Sequence, residues 1–230
     1  LVDLRYVHLG ASDLEAAAKW AQEIYGLEEV GRAHGRIYLR GDDRDHNICY
    51  FAGDPKDNTV GIEVADYEAL DGAASHLEAN GVKVTWGDDE GAAVRRCMKY
   101  FTFSDPTGNK FDLVVRPFES GRRYFPSRDA GVHWFNHIGL KTTDAPRDEK
   151  FWCSLFNFQA NDWIGDAALM SFDKVHHRFA LFPTDEAGVQ HINFQVRETD
   201  DLMRSSYFFN ERQIRVVFGP GRHATSGARF

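Results

Sequence analysis

The chain has 230 residues, of which 43% are hydrophobic and 13% aromatic, and its formal net charge is -8. This length allows one large domain or two small ones, each with its own core. The acidic balance argues against nucleic acid and an anionic membrane surface as partners, because both require a basic face. Three cysteines without CxxC spacing favour a reduced cytoplasmic protein, and no apolar run approaches the length of a membrane-spanning helix.

The first half of the chain combines short strand patterns with two helix patterns. Alternating and β-branched runs predict strands at 4–9, 36–40, 46–51, 59–66, 82–86, 98–105 and 110–115. Apolar residues at helical spacing predict helices from Leu14 to Ile24 and from Tyr67 to Ala79. The DPTGN segment at 105–109 predicts a tight turn, because Pro presets its backbone angle and Gly supplies a positive one.

The second half repeats this order after a linker at about 117–132. It predicts strands at 134–140, 160–164, 168–173, 177–182, 189–196 and 213–218, and helices at 146–155 and 200–210. The repeat predicts an α+β fold with two modules of paired βαβββ units, which form curved mixed sheets around a cleft. We expect an N-terminal module at 1–118 and a C-terminal module at 133–230, incomplete at its last hairpin.

Two histidines lie in the middle of predicted strands of the second module. They are His137 in WFNHIGL and His191 in VQHINFQV. Rigid strands make precise sites, and neutral imidazole is a common ligand of divalent metals. Alternation puts Asn193 on the same face as His191, and Asn136 on the face opposite to His137. Either histidine alone could equally be a buried residue with satisfied hydrogen bonds, but their matching places in the repeat favour a shared metal site.

The first module has His8, Thr59 and Asp112 at the positions that we align with this site. One type of ligand is lost there, so we expect a structural module in which His8 is a packed remnant. His137 and His191 are 54 positions apart, and Thr59 and Asp112 are 53 apart. By this spacing a third ligand should follow some 50-odd residues after His191, beyond Phe230. Two histidines and one carboxylate are typical of non-haem iron(II) sites that handle oxygen.

Other histidines are candidates for proton transfer. In the pair His176-His177, alternation along a strand would let only one ring enter the cavity, where it could act as a general acid–base. His223 lies in the Gly-rich segment FGPGRHATSG, and loops on rigid scaffolds often carry function. The alternatives are a surface or core role for the pair and a solvated loop role for His223. Four histidines have no supporting pattern and are expected at the surface: His34, His46, His76 and His133.

Four segments in this order and spacing resemble a known family: FNHIGL, DWIGDAALMSFDKVHHRFALFP, GVQHINFQV and FGPGRHATSGARF. The family is the type I extradiol ring-cleavage dioxygenases of the vicinal oxygen chelate superfamily, in the style of the 2,3-dihydroxybiphenyl and 2,3-dihydroxy-p-cumate dioxygenases. The similarity covers nearly the whole chain. It implies a homo-oligomeric Fe(2+) enzyme that uses O2 to cleave a small catechol-type diol during the degradation of aromatic compounds.

The resemblance also implies roles for single residues. It makes His137 and His191 the two iron ligands, with a Glu expected beyond Phe230 as the third. It makes His177 the acid–base residue. His176 is its competitor, because the stretch between this histidine pair and His191 differs in length by one residue from the family pattern. It implies that His223 is a second-sphere histidine that hydrogen-bonds to oxygen or to the metal-bound substrate oxygen, and that Trp163 and Leu169 line the ring pocket. Asn193, on the strand face that looks into a polar cavity, is a further candidate for substrate binding.

Two other classes of protein remain open. One is a different metal enzyme of the same superfamily, such as a glyoxalase or an epimerase, but those usually draw ligands from both modules. The other is a non-catalytic binding protein of the bleomycin-resistance type, which needs no metal and usually has one module per chain. The duplicated modules and the two aligned histidines favour the dioxygenase.

Overall fold

The structure is a computed structural model that describes residues 1–230. Residues up to Pro117 contribute one mixed sheet of eight strands, in the order β2-β3-β4-β1-β5-β8-β7-β6. The strands are β1 (Asp3–Ala11), β2 (Glu28–Ala33), β3 (Arg36–Arg40), β4 (Ile48–Ala52), β5 (Asn58–Val64), β6 (Thr85–Trp86), β7 (Cys97–Ser104) and β8 (Lys110–Pro117). The helices are α1 (Leu14–Trp20), which continues as a π-helix to Tyr25, α2 (Tyr67–Ala79) and α3 (Asp89–Arg95).

The second half forms a mixed sheet of five strands in the order β10-β11-β12-β9-β13. These strands are β9 (Trp134–Thr142), β10 (Gln159–Ile164), β11 (Ala167–Ser171), β12 (Phe179–Pro183) and β13 (Gly188–Gln195). Its helices are α4 (Ala145–Leu155) and α5 (Thr199–Glu211). The predicted α+β class with two mixed sheets is confirmed. None of the five α-helices is long and apolar enough to cross a membrane.

Helix starts follow a common chemical rule in this chain. Four helices begin after an aspartate whose carboxylate accepts a backbone N–H of the first turn: Asp13, Asp66, Asp88 and Asp144. Such caps satisfy amides that have no partner within the helix. Helix α5 instead has a reciprocal capping box between Glu198 and Asp201. The caps fix where each helix begins, and α4 and α5 begin just after β9 and β13, the strands that carry the two candidate ligands.

The strand pairing repeats between the halves and corrects one alignment. β1 runs parallel to β4 and antiparallel to β5, as β9 does to β12 and β13. His8 lies opposite Thr59, and His137 lies opposite Asn193. By register, Thr59 therefore corresponds to Asn193 and not to His191. A linear alignment does not show which residues pair across a sheet, so it could not reveal this shift.

Two predicted elements differ from the structure, and two observed elements, β2 and α3, were not predicted. Residues 213–218 form turns and bends instead of a strand, and the strand expected at 82–86 is reduced to Thr85–Trp86. Helix α3 was not predicted, because its seven residues are too few to show helical periodicity. The division at 1–118 and 133–230 stays a prediction, since one cluster of 32 buried apolar residues includes side chains from both halves.

The predicted DPTGN turn is confirmed, and it joins the two halves. The Asp105 carboxylate accepts the backbone N–H groups of Gly108 and Asn109, each at 2.8 Å. The Asn109 amide donates to the Lys141 carbonyl at 2.9 Å and accepts from the Gly188 N–H at 2.7 Å. The turn thus holds the end of β9 beside the start of β13, which are the strands of the two metal-ligand candidates.

Trp152 on α4 is the largest fully buried side chain. Its ring packs within 6 Å of five phenylalanine rings of the core besides Phe151: Phe103, Phe111, Phe156, Phe158 and Phe179. We expect Trp152→Ala to lower the free energy of unfolding by about 3–5 kcal/mol, because it leaves a large cavity. Urea unfolding would measure this change. Trp20→Ala is the control, since Trp20 is 46% exposed, and an equal loss in both variants would contradict the expectation.

Candidate metal centre

The imidazoles of His137 on β9 and His191 on β13 meet at their Nε2 atoms, 3.0 Å apart. Two nitrogens bound to one ion at about 2.1 Å, at right angles to each other, would be separated by about 3.0 Å. The rings are nearly perpendicular, with an interplanar angle of 85°. The pair therefore fits two neighbouring ligand positions of one metal ion. No group of three or more His, Cys, Asp or Glu side chains in the chain could hold a metal.

The His176-His177 pair lies beside this point, in a bend and not in a strand. Residues 172–178 form bends before β12, so strict alternation does not apply to them. The His177 ring centroid is 4.2 Å from that of His137, and the Nδ1 atoms of His176 and His177 are 3.0 Å apart. Both rings line the same cavity. The expectation that only one of them would reach it is wrong.

A cavity of about 470 Å³ opens in front of His137. His223, from the Gly-rich loop, lines it and packs on Phe230, with ring centroids 4.6 Å apart. Asn193 also lines the cavity, whereas Trp163 and Leu169 do not. The sheet order explains this, because β10 and β11 lie on the far side of β12 from β9. Leu169 is buried in the sheet and Trp163 is 37% exposed on its edge strand.

Burial favours the neutral form of His137, His177 and His191 near neutral pH. It lowers the pKa of His137 well below the usual value, with a further decrease from the neighbouring His177. The pKa of His177 falls to about 4, mainly through burial and then through His176. Burial and His223 lower the pKa of His191. Neutral imidazole is the form that binds metal and accepts protons.

Asn136 and Gln190 also belong to the site, although sequence reasoning missed them. The Nδ1 of His137 is 3.0 Å from the amide oxygen of Asn136. The Nδ1 of His191 bonds in the same way to the amide oxygen of Gln190. The prediction that Asn136 faces away from His137 is therefore wrong. The two Asn-His and Gln-His dipeptides were the available signal.

The first module keeps a buried polar cluster at the equivalent place. The Nε2 atoms of His8 and His46 are 3.3 Å apart, and Tyr6 stacks on the His8 ring. The Asp112 carboxylate is fully buried and receives hydrogen bonds from Tyr6, Arg95 and Thr102. His8 is thus packed as expected. His46 is also buried, which corrects the prediction of a surface residue.

Burial lowers the pKa of His8 well below 6.5, so the unfolded chain binds its proton first as pH falls. Stability from this group is present above about pH 6.5 and is lost at lower pH. At about pH 5 the loss should reach at most about 2 kcal/mol. We expect His8→Gln to lose less unfolding free energy than the wild type between about pH 7.5 and about pH 5. Parallel pH profiles from urea unfolding would contradict this.

Known proteins share this sequence pattern and fold. The family model described as the Glyoxalase/Bleomycin resistance protein/Dioxygenase superfamily matches residues 4–113 and 134–230. Biphenyl-2,3-diol 1,2-dioxygenase from Sphingomonas paucimobilis is 27% identical, over 99% of this chain and 82% of the relative. 1,2-dihydroxynaphthalene dioxygenase from Sphingobium xenophagum is 28% identical, over 96% of this chain and 80% of the relative.

A solved structure agrees with these relatives. The crystal structure of a catechol 2,3-dioxygenase superposes with a TM-score of 0.88 at 25% identity, covering 98% of this chain and 81% of that one. The family match includes both mixed sheets and the strands that carry His137 and His191. The chain therefore belongs to the glyoxalase/bleomycin resistance protein/dioxygenase superfamily.

Proposed function

We propose that the protein is an extradiol dioxygenase, which opens the ring of a catechol-type diol with Fe(2+) and O2 in the degradation of aromatic compounds. The observation that carries this proposal is the meeting of His137 and His191 at their Nε2 atoms beside His177. The named relatives support the reaction class, since they act on biphenyl-2,3-diol and 1,2-dihydroxynaphthalene.

His137 and His191 would hold the metal, and a carboxylate would complete the set. A bound Fe(2+) would supply neighbouring coordination positions at which a diol and O2 are brought together and polarised. Two imidazoles on paired strands fix these positions because neither strand can move without breaking the sheet. Asn193 lines the cavity beside His137 and would contact the substrate there.

His177 is the proposed acid–base residue. Its Nδ1 faces His176, so Nε2 is the nitrogen that remains free for the substrate. Its pKa of about 4 keeps the ring neutral and ready to accept the proton of a diol hydroxyl, although it makes the imidazole a weaker base. His223 lines the same cavity and would donate or accept a hydrogen bond at a substrate oxygen.

Oxygen uptake tests the proposed reaction. The protein would be loaded with Fe(2+) without air and then mixed with catechol, 2,3-dihydroxybiphenyl or 1,2-dihydroxynaphthalene. We expect one O2 consumed per diol, and a product that carries both atoms of labelled oxygen by mass spectrometry. Loading with Mn(II) in a parallel sample tests the choice of metal. A protein that binds Fe(2+) but consumes no oxygen with any diol would contradict the proposal.

We also propose a cytoplasmic homo-oligomer. All three cysteines are free thiols, as expected for a reducing compartment. Sedimentation analysis would measure the oligomeric state, and a monomer at all concentrations would contradict that part of the proposal.

A further inference from the structure

Both proposed metal ligands are directly preceded by a residue with a side-chain amide. We propose that Asn136 and Gln190 are positioning residues: their amide oxygens accept the Nδ1–H of His137 and His191 and turn each Nε2 toward a shared metal ion. The inference deepens the proposed function and rests on its metal site. Both bonds are present in the structure, at 3.0 Å for Asn136 and as a short contact for Gln190.

β-Bulges make these contacts geometrically allowed. Neighbouring residues of a regular strand point to opposite faces, so one side chain cannot reach the ring of the next. In the pairing of β9 with β13, Phe135 lies opposite Phe194 and His137 opposite Asn193, which leaves Asn136 as an extra residue. On β13, Val189 lies opposite Leu140 and His191 opposite Gly139, which leaves Gln190 as an extra residue.

Each ligand candidate is therefore preceded by the unpaired residue of a bulge. Bulges re-aim side chains and occur often beside active sites. Here each bulge turns an amide toward the neighbouring ring. The two bulges lie in different strands but produce the same amide–imidazole contact, and this repetition argues for a common purpose.

Gly139 provides the space that the Gln190–His191 contact occupies. A β-carbon at position 139 would lie 2.4 Å from His191 Nδ1 and 3.0 Å from the Gln190 amide oxygen. Real β-carbons do not approach ring atoms this closely, so the ring or the strand would have to shift. At Gly139 the backbone of β9 therefore leaves room for the His191 ring and the Gln190 amide of the neighbouring strand β13.

The Gln195 side-chain amide fixes the orientation of Asn136. The Asn136 Nδ2 donates to the Gln195 amide oxygen at 3.2 Å, which leaves the Asn136 oxygen for His137. Outer hydrogen bonds of this kind select the tautomer of a metal-binding histidine and orient its ring. An amide does so without adding negative charge. The first module differs, because the Asp45 carboxylate faces Nδ1 of His46 at 3.1 Å and also pairs with Arg96.

The tautomers can be measured without metal and without substrate. Two-bond proton–nitrogen NMR of ¹⁵N-histidine-labelled protein distinguishes Nδ1–H from Nε2–H rings. We expect Nδ1–H signatures for His137 and His191 in the wild type. Asn136→Leu should lose this preference at His137 only, and Gln190→Leu at His191 only. Gln159→Leu is the matched control, because Gln159 is exposed on β10. Unchanged tautomers in both leucine variants would overturn the proposal.

Mn(II) binding, followed by loss of the free-ion EPR signal, gives a second readout. We expect each leucine variant to bind Mn(II) about 10–100-fold more weakly than the wild type. Gln190→Glu keeps the acceptor and should restore binding to within a few fold. Gly139→Ala should weaken binding although it removes no polar group. Equal affinities in the wild type and the leucine variants would overturn the proposal. A protein with the expected tautomers and affinities that cleaves no diol would contradict only the proposed function.

Discussion

His137→Ala and His191→Ala should each abolish stable metal binding and, with it, oxygen uptake. The two Nε2 atoms lie 3.0 Å apart, so each substitution removes one of only two protein nitrogens that meet at this point. We expect the affinity for Fe(2+) to fall by at least about 100-fold, which is more than the loss typical of an outer hydrogen-bonding partner. Iron content after anaerobic loading and gel filtration would measure the change.

His76→Ala is the control for this experiment, because His76 is exposed on α2 and remote from the paired strands. It should keep the iron content and the oxygen uptake of the wild type. If either His137→Ala or His191→Ala retained full iron content, the assignment of that ligand would be wrong. Circular dichroism would show whether the variants keep the fold, which we expect because His137 and His191 are only half-buried and lie outside the apolar core.

Periodicity in the sequence predicted most of the strands and the two histidines that meet. The strands around His137 and His191 have clear apolar faces, and the same pattern occurs in both halves, so their pairing followed from the repeat. The side chains around these histidines were harder to predict. A bulge adds one residue to a strand without leaving a mark in the apolar pattern, so Asn136 and Gln190 could not be placed by alternation.

Burial of polar residues was the second weak point. His46 has no apolar periodicity around it, yet it is buried because His8, Asp45 and the Tyr6 ring surround it. Such long-range contacts depend on how the strands assemble, which the local sequence does not show. The same holds for His176 and His177, since only the bend before β12 lets both rings face one cavity.

His177→Phe should keep the metal and lose most of the turnover. The ring lies 4.2 Å from His137 by centroids, close enough to reach a substrate at the metal, but it is not one of the two nitrogens that meet there. Phenylalanine fills similar space and cannot carry a proton. Loss of a general acid–base residue costs about 10²–10⁴-fold in rate. We expect a decrease of that size in kcat with iron content unchanged.

His176→Phe and His133→Phe complete this comparison. His176 lines the same cavity and contacts His177 through Nδ1, so its substitution tests whether the neighbouring ring is the true acid–base residue. His133 is exposed just before β9 and should tolerate the change without effect. A large loss in His176→Phe with little loss in His177→Phe would exchange the two roles. Equal turnover in all three variants would remove both histidines from proton transfer, because neither ring would then be needed where the diol loses its proton.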